Sequence, residues 1–245
     1  MISMKCAPLH ILPVIHHVDG RLSREQAKLA LDLGADGIFL ISHHDDDAAL
    51  LPLAASIRVL RPDAWIGINF LSMTLWEAFS LSLACDCRID AVWTDRPGIT
   101  SQGVDTDTRE LAELRGVLVR SGRPAPQVFA SVAFKYQPHE ADPARAAANA
   151  TQLGFIPTTS GSATGSAPHL DKIVAMREQL GDGDALACAS GLTVGNISDF
   201  APHLSHALVA TGVLLDEHHF DPARLSEFIS LAKSIRMAGA LADAG

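Results

Sequence analysis

The feature that most constrains this sequence is a repeated alternation between short apolar segments and longer amphipathic segments. The short segments predict β-strands at residues 12–18, 36–42, 65–71, 89–94, 127–134, 155–160, 185–190 and 207–211. The longer segments predict helices at about residues 23–33, 48–60, 74–84, 106–120, 143–153, 170–179, 193–200 and 221–241. Strands that alternate strictly with helices favour a parallel sheet covered by helices.

Eight such units predict a single (β/α)8 barrel, the TIM-barrel fold, as one domain over residues 1–245. The length of 245 residues fits, because one barrel takes roughly 200 to 250 residues. An open doubly wound sheet also alternates strands and helices, but a glycine-rich phosphate loop normally follows its first strand. In this sequence His16-His17-Val18-Asp19 stands at that place, so we favour the closed barrel.

Side chains at the predicted helix ends indicate how some of the helices begin. Ser23 is predicted to cap the first helix, and Asp45–Asp47 are predicted to cap the second. In the fourth helix, leucine and valine recur at a spacing that predicts one buried face, at Leu111, Leu114, Val117 and Leu118. The tryptophans lie within predicted strands or helices and are expected in the core; they are Trp65, Trp76 and Trp93.

The overall charge limits the partners of the protein. The net charge is −9 and no block of Lys or Arg occurs, so we expect no nucleic-acid partner. Residues 1–11 lack the pattern of a signal peptide and no apolar run reaches about 18 residues, so we expect a cytoplasmic protein without a membrane span. The sequence leaves open whether the protein forms a homo-oligomer.

The four cysteines have neither C-x-x-C spacing nor the density of a secreted disulfide scaffold; they are Cys6, Cys85, Cys87 and Cys188. We therefore expect reduced thiols, and Cys188 reads as a small core residue within a strand.

Small residues follow each of the last three predicted strands. Because the ends of parallel strands meet at one end of a barrel, the three loops are expected to lie together. In (β/α)8 barrels this end holds phosphate, and small residues let the backbone approach a ligand. We predict that a phosphorylated small molecule is bound by Ser160, Gly161, Ser162, Thr164, Gly165, Ser190, Gly191, Thr193, Thr211 and Gly212. The alternative is that these residues only form turns and helix caps.

Polar side chains at other strand ends are candidates for chemistry. Asp95 can transfer a proton, bind ribose hydroxyls or stabilise an oxocarbenium ion, unless it only pairs with Arg96 or Lys135. Lys135 is expected to hold phosphate or pair with Asp95 rather than form a Schiff base. His16 is a candidate acid or base, and Asn69 is expected to orient hydroxyl groups. Tyr136 is a candidate for stacking on a ligand ring.

Paired histidines at two strand ends leave a metal site as an alternative. Imidazole and carboxylate groups together suit zinc or manganese, and here they are His16, His43, His44 and Asp45–Asp47. Successive strand residues face opposite ways, so His-His does not direct both rings to one ligand. We therefore expect no metal ion and no other cofactor.

Several segments resemble the BtpA/SgcQ family. The segments that carry the resemblance are Thr159–Gly165, Leu170-Asp171, Met176-Arg177-Glu178, Ser190-Gly191-Leu192-Thr193 with Asn196, Gly67–Leu71, Asp36-Gly37-Ile38 and Gln102-Gly103. The resemblance covers most of the chain and implies a (β/α)8 barrel. The family is named partly for a member associated with photosystem I biogenesis, and its barrel looks like those of phosphoribosyl-handling enzymes.

The sequence also departs from the family pattern. Members often carry an Asp and a His on the fifth strand before the Lys, and here these places are Ser131 and Ala133, with Lys135 kept. An acidic residue and an Asn after the second strand are replaced by Ser42 and His43. If the missing groups are catalytic in relatives, this chain uses different chemistry or has lost it.

Two functions are therefore expected as alternatives. The first is an enzyme that binds a phosphorylated sugar or a nucleotide-like metabolite and acts on a glycosidic or phosphoribosyl bond by acid–base chemistry, as a transferase or hydrolase. Isomerase or aldolase chemistry is a lower-ranked expectation than transferase or hydrolase chemistry. The second is a non-catalytic assembly factor of the photosystem I biogenesis type.

Overall fold

The computed structural model describes the backbone of residues 9–242 and the side chains of residues 9–235. Eight parallel strands close into a barrel, as predicted, with each strand paired to the next and the last paired to the first. The strands are β1 (His10–His17), β2 (Ile38–Ser42), β3 (Ile66–Asn69), β4 (Ala91–Thr94), β5 (Gln127–Ser131), β6 (Ile156–Thr159), β7 (Ala187–Ala189) and β8 (His206–Val209). Cys6 lies outside the described residues.

A helix follows each strand and covers the outside of the barrel. The helices are α1 (Gly20–Asp32), α2 (Leu50–Leu60), α3 (Leu75–Ala84), α4 (Thr106–Arg120), α5 (Pro143–Gln152), α6 (Leu170–Gln179), α7 (Ile197–Phe200) and α8 (Pro222–Ala242). The loop between β4 and α4 contains an antiparallel hairpin of Ile99–Thr100 and Gly103–Val104, which is not among the strands that the sequence predicts. The predicted seventh helix is shorter than expected and begins at Ile197 instead of Thr193.

Alternate strand residues fill the interior of the barrel. Leu12, Phe39, Trp93 and Phe129 belong to one buried cluster there, which is separate from the larger cluster between the strands and the helices. The ring of Phe39 occupies the space beside Gly67, where a Cβ atom would lie 2.3 Å from Phe39 Cε1. The close approach of this ring therefore requires glycine at position 67.

The caps of α1 and α2 differ from the prediction. Asp19, rather than Ser23, caps α1 by accepting hydrogen bonds from the backbone N–H groups of Arg21 and Leu22. Ser23 is buried within the helix, and its hydroxyl lies 2.8 Å from Nδ1 of His17. The prediction for Asp45–Asp47 was also wrong, because α2 has no side-chain cap and Asp47 instead accepts hydrogen bonds from Ser72.

The outer face of α3 and α4 is less buried than predicted. Trp76 was expected in the core, but 42% of its surface is exposed. In α4, Leu111 and Leu118 are buried whereas Leu114 and Val117 are exposed. Leucine and valine are therefore present on both faces of α4. Within the described residues, no helix combines the length and the apolar character needed to cross a membrane.

Candidate functional site

The carboxyl ends of the strands bring together most of the polar residues that the sequence singled out. His16 comes two residues after Val14, and Asp95 comes two residues after Trp93, both of which belong to the interior cluster. Because side chains alternate along a strand, His16 and Asp95 continue the inward-facing rows at the mouth of the barrel. Asn69 continues the row of Gly67 in the same way and is 1% exposed.

Lys135 connects two of the three small-residue loops. Its ammonium group donates hydrogen bonds to Thr164 Oγ1 at 3.2 Å and to Ser190 Oγ at 3.1 Å. Its backbone N–H donates to Ser160 Oγ at 2.8 Å. Burial lowers the pKa of Lys135, and nearby Asp95 opposes that change. A partly buried cation therefore lies between the loops after β6 and β7, where an anion would be attracted.

Asp95 is a partly buried carboxyl group at the mouth. Burial raises the pKa of Asp95, and the charge of Lys135 and a hydrogen bond from Ser131 Oγ at 3.3 Å oppose the change. Within the described residues no ion pair includes Asp95, although the charges of Lys135 and Arg96 both act to lower its pKa. A carboxyl group with a raised pKa near a lysine with a lowered pKa is typical of functional sites.

His16 and His43 face each other across the loops after β1 and β2. Their ring centroids are 5.2 Å apart in an edge-to-face arrangement. Burial lowers the pKa of His16 to about 4, with further contributions from His43, His218 and Lys135. Burial also lowers the pKa of His43. Both imidazoles are therefore neutral near pH 7, and each offers one hydrogen-bond donor and one acceptor.

The glycines of the three small-residue loops pack against neighbouring loops. A Cβ atom on Gly191 would lie 2.0 Å from the backbone nitrogen of Ala167, and one on Gly212 would lie 2.0 Å from the carbonyl oxygen of Leu192. Gly165 has a φ of +79° and lies beside Thr211. The loops after β6, β7 and β8 are thus in direct contact, and the lack of side chains permits that contact.

Two residues of the predicted phosphate site have structural roles. The backbone N–H of Thr193 donates to Asn196 Oδ1 at 2.8 Å, and Asn196 Nδ2 donates to the carbonyl oxygen of Gly191. Gly161 forms a tight turn, since a Cβ there would lie 2.1 Å from the carbonyl oxygen of Ser166. The amide of Thr193 is therefore already engaged within its own loop.

Lys172, near the start of α6, is a residue of the site that sequence reasoning missed. Its ammonium group donates to the carbonyl oxygens of Ala133 at 2.5 Å and of Ser160 at 2.9 Å. Ala133 has a φ of +48°, which is uncommon for a residue other than glycine. Burial lowers the pKa of Lys172 to about 8. Lys172 therefore holds together the segments after β5 and β6 that carry Lys135 and Ser160.

Gln137 is a second positioning residue that the sequence did not indicate. Its Nε2 donates to the carbonyl oxygens of Asp95 at 2.7 Å and Ser131 at 2.9 Å, and its Oε1 accepts from the N–H of Phe134. The loop after β5 is thereby fixed to the end of β4. No local pattern marks such a glutamine.

Two cavities border the loop after β6. One of about 500 Å³ is lined by Lys135, Ser160, Gly161, Ser162 and Lys172, among others. The other, of about 700 Å³, lies between the loops after β1, β2 and β8 and includes Thr164 and Thr211 in its wall. Both volumes are in the range of small-molecule sites, roughly 300 to 1,000 Å³.

The two remaining sequence expectations concern metal and stacking. Within the described residues, which include His16, His43 and Asp45, no three His, Cys, Asp or Glu side chains are grouped so that they could hold a metal ion. Tyr136 has a φ of +64° and is 79% exposed. Its hydroxyl lies 3.3 Å from Thr164 Oγ1, so the ring stands at the rim of the site.

Comparisons with known proteins agree with the fold. No protein-family model and no curated protein matches the sequence. Thiamine phosphate pyrophosphorylase from Pyrococcus furiosus has a TM-score of 0.62 at 16% identity, covering 96% of this chain and 99% of that one. Phosphoribosyl anthranilate isomerase from Thermus thermophilus has a TM-score of 0.63 at 16% identity, covering 92% of this chain and 99% of the isomerase.

An aldolase belongs to the same group of similar structures. The 2-keto-3-deoxy-6-phospho-gluconate aldolase from Zymomonas mobilis has a TM-score of 0.55 at 14% identity, covering 96% of this chain and 94% of the aldolase. At such low identities the likeness concerns the fold alone.

Proposed function

We propose that this protein is a BtpA-like (β/α)8-barrel enzyme that binds a phosphorylated sugar or a nucleotide-like metabolite. The observation that carries the proposal is the Lys135 ammonium group, which bridges Thr164 and Ser190 at the mouth of the barrel. A partly buried cation between loops of small residues provides the charge and the space that a phosphate group requires. The names of the three similar structures also refer to phosphorylated compounds.

The phosphate is expected to lie among the loops after β6, β7 and β8. Lys135 supplies the positive charge, and the hydroxyl groups of Ser160, Ser162, Thr164, Ser190 and Thr211 supply hydrogen bonds. Gly161, Gly165, Gly191 and Gly212 allow the backbone to approach. Thr193 contributes through its side chain, since its N–H is bound to Asn196.

Asp95 is proposed as the catalytic acid or base. Its raised pKa places proton transfer closer to neutral pH than for an ordinary aspartate. His16 is neutral near pH 7 and acts as a hydrogen-bond donor or proton acceptor. Asn69 carries a buried Oδ1 without a hydrogen-bond partner in residues 9–242, which suits an acceptor for a sugar hydroxyl group.

Cleavage or formation of a glycosidic or phosphoribosyl bond is the reaction class we propose. In cleavage, the bond between the anomeric carbon and the leaving group breaks, an oxygen of water or phosphate bonds to that carbon, and protonated Asp95 gives its proton to the leaving group. We rank isomerase and aldolase reactions below this class. The Lys135 ammonium group donates hydrogen bonds to two hydroxyl groups, which favours a charged lysine over a Schiff base.

Ligand-dependent thermal stability tests the proposal. Inorganic phosphate, ribose 5-phosphate and nucleoside monophosphates are each expected to raise Tm, because a ligand that binds only the folded chain stabilises it. Lys135→Met is expected to weaken phosphate binding by roughly 10- to 100-fold, the loss of one charged hydrogen-bonding group. Lys28→Met is the matched control, because Lys28 lies on the exposed face of α1.

A non-catalytic assembly factor remains the second candidate. The observation that favours it is Ser131, which accepts a hydrogen bond from Trp93 Nε1 at 2.9 Å in a place where BtpA/SgcQ relatives often carry a charged group. No thermal response to any phosphorylated compound, together with unchanged function in Asp95→Asn, would favour the assembly factor over the enzyme.

A further inference from the structure

The cavity between the loops after β1, β2 and β8 adjoins the proposed phosphate site and shares Thr164 and Thr211 with it, but most of its wall is not assigned to phosphate binding. We infer that it binds an uncharged, planar heterocyclic ring, so that the natural ligand is nucleotide-like rather than a bare sugar phosphate. The inference rests on the proposed function for the position of the phosphate. It adds the part of the ligand that the phosphate loops do not contact.

The walls of this cavity combine ring edges with apolar surface. It measures about 700 Å³ and is lined by His16, His17, Val18, His43, His44, Thr164, Thr211, Leu214, Leu215, Asp216, Glu217 and His218. Val18 and Leu215 are apolar side chains with 45% and 69% of their surface exposed. Apolar faces of this kind can cover the two sides of a flat ring.

The charge state of the histidines favours a neutral ligand. Burial is the main cause that lowers the pKa values of His16 and His43 below their ordinary range, and the charges of Lys135 and His218 add to the effect at both rings. Neutral imidazoles donate and accept hydrogen bonds without carrying charge. They match the alternating donors and acceptors on the edge of a nucleobase.

A second anion fits the cavity less well. Asp216 and Glu217 belong to its wall, and their carboxylates repel a further negative charge. A neutral ring meets no such penalty. Within residues 9–242, Nδ1 of His218 is buried without a hydrogen-bond partner, and a donor or acceptor on the ring would remove that deficit.

The cavity is continuous with the proposed phosphate site. Thr164 belongs to the cavity wall and also accepts a hydrogen bond from Lys135. Thr211 belongs to the wall and contacts Gly165 of the loop after β6. A phosphate held at Lys135 therefore lies next to the cavity, and one ligand can occupy both.

Calorimetric titration of the full chain with matched ligands tests the inference. The ligands are ribose 5-phosphate and the 5′-monophosphates of adenosine, guanosine, cytidine and uridine. At least one nucleotide is expected to bind with a Kd about tenfold below that of ribose 5-phosphate, in line with the usual contribution of a stacked base. Equal affinity of ribose 5-phosphate and all four nucleotides would overturn the inference and leave the phosphate site in place. No binding by any of the five would overturn both.

Variants that fill the cavity provide the second arm. Val18→Trp and, separately, Leu215→Trp are expected to remove the nucleotide advantage while the Kd of ribose 5-phosphate stays unchanged. Val59→Trp is the matched control, because Val59 is an 80% exposed valine on α2. Circular dichroism verifies that each variant is folded. Retention of the nucleotide advantage in a folded Val18→Trp or Leu215→Trp protein would contradict the inference.

Discussion

Asp95 and Lys135 show how burial shapes this site at the scale of single residues. Removal from water disfavours both charged forms, so the pKa of Asp95 rises and that of Lys135 falls. Their mutual attraction opposes both changes without cancelling them. The site therefore holds a carboxyl group and an amine whose charged states are less stable than on the surface.

Replacement of Asp95 is expected to change stability with pH. A carboxyl group with a raised pKa in the folded chain stabilises the fold below the ordinary pKa of aspartate, and this contribution is lost as pH rises through the raised value. Asp95→Asn removes the buried charge, so Tm should rise near pH 7 and stay unchanged near pH 3. Thermal melts at the two pH values measure this, and an equal shift at both would contradict the argument.

Lys172 is expected to contribute more to stability than a lysine usually does. Lys172→Met leaves the carbonyl oxygens of Ala133 and Ser160 without this donor, at a cost of about 1 to 3 kcal/mol. Urea denaturation measures the change in the free energy of unfolding. Lys28→Met serves as the control on an exposed helix face, and equal stability of the two variants would disprove the role of Lys172.

Single residues at the site were predictable only where a strand end marked them. Asp95, Asn69 and His16 follow apolar runs, and strand alternation then places them at the mouth. Lys172 and Gln137 act through backbone carbonyl groups that are distant in sequence, so no local pattern identifies them. Phosphate binding by the three small-residue loops stays a prediction; these loops are Ser160–Gly165, Ser190–Thr193 and Thr211-Gly212.

At the scale of elements, the three loops after β6, β7 and β8 form one packed unit. Gly212→Ala is expected to cost about 1 to 3 kcal/mol, because the new Cβ would lie 2.0 Å from the carbonyl oxygen of Leu192. Gly195→Ala is the matched control, since its nearest neighbour is Thr193 Oγ1 at 3.7 Å. Urea denaturation and phosphate affinity should both change in Gly212→Ala and neither in Gly195→Ala. An equal loss of stability in both variants would contradict the clash, because Gly→Ala at an unstrained site lowers the entropy of the unfolded chain and does not destabilise the fold.

Helix bounds were predictable from the apolar periodicity whether a side chain caps the helix, as Asp105 does in α4, or no side chain does, as in α6. The bounds of α4 and α6 match the prediction, and Thr74 caps α3 in a capping box with Glu77. The hairpin of Ile99–Thr100 and Gly103–Val104 was missed because strands of two residues carry no measurable period. Trp76 was placed in the core because an apolar helix gives no clear indication of its outer side.

At the scale of the whole molecule, neutral histidines occupy both ends of the barrel. Burial lowers the pKa of His206 to about 3, with His10 stacked 5.1 Å from its ring and Phe129 packed edge-to-face. At the other end the pKa of His16 is about 4, beside His43, His218 and Lys135. Burial thus keeps one imidazole at the base of the barrel and one at its mouth uncharged near pH 7.

Acid is therefore expected to destabilise the fold. A lowered histidine pKa contributes stability above the ordinary value of 6.5, and that contribution is lost as pH falls from 6.5 through about 4 for His16 and about 3 for His206. The urea midpoint should fall steadily between pH 7 and pH 4. His206→Gln should flatten this dependence, and an unchanged slope would show that other groups control it.

The whole architecture was the most predictable level. Eight alternating strand and helix segments leave few arrangements that bury every apolar strand, and the closed barrel is one of them. The small residues at Gly165, Gly191 and Gly212 were expected to let the backbone approach a ligand. In the structure they also let the three loops pack against one another. Composition and periodicity predict which segments meet, but not how closely.

The pairing of β1 with β8 joins His10 to His206 and Pro13 to Val209. These partners are nearly two hundred residues apart, so the ring can close only after the ribosome has released all the segments between them. Until then the growing sheet has two unpaired edges, each able to recruit a foreign strand. Slow translation of the last strand would prolong the interval in which these edges are unpaired, whereas the complete barrel leaves neither edge open.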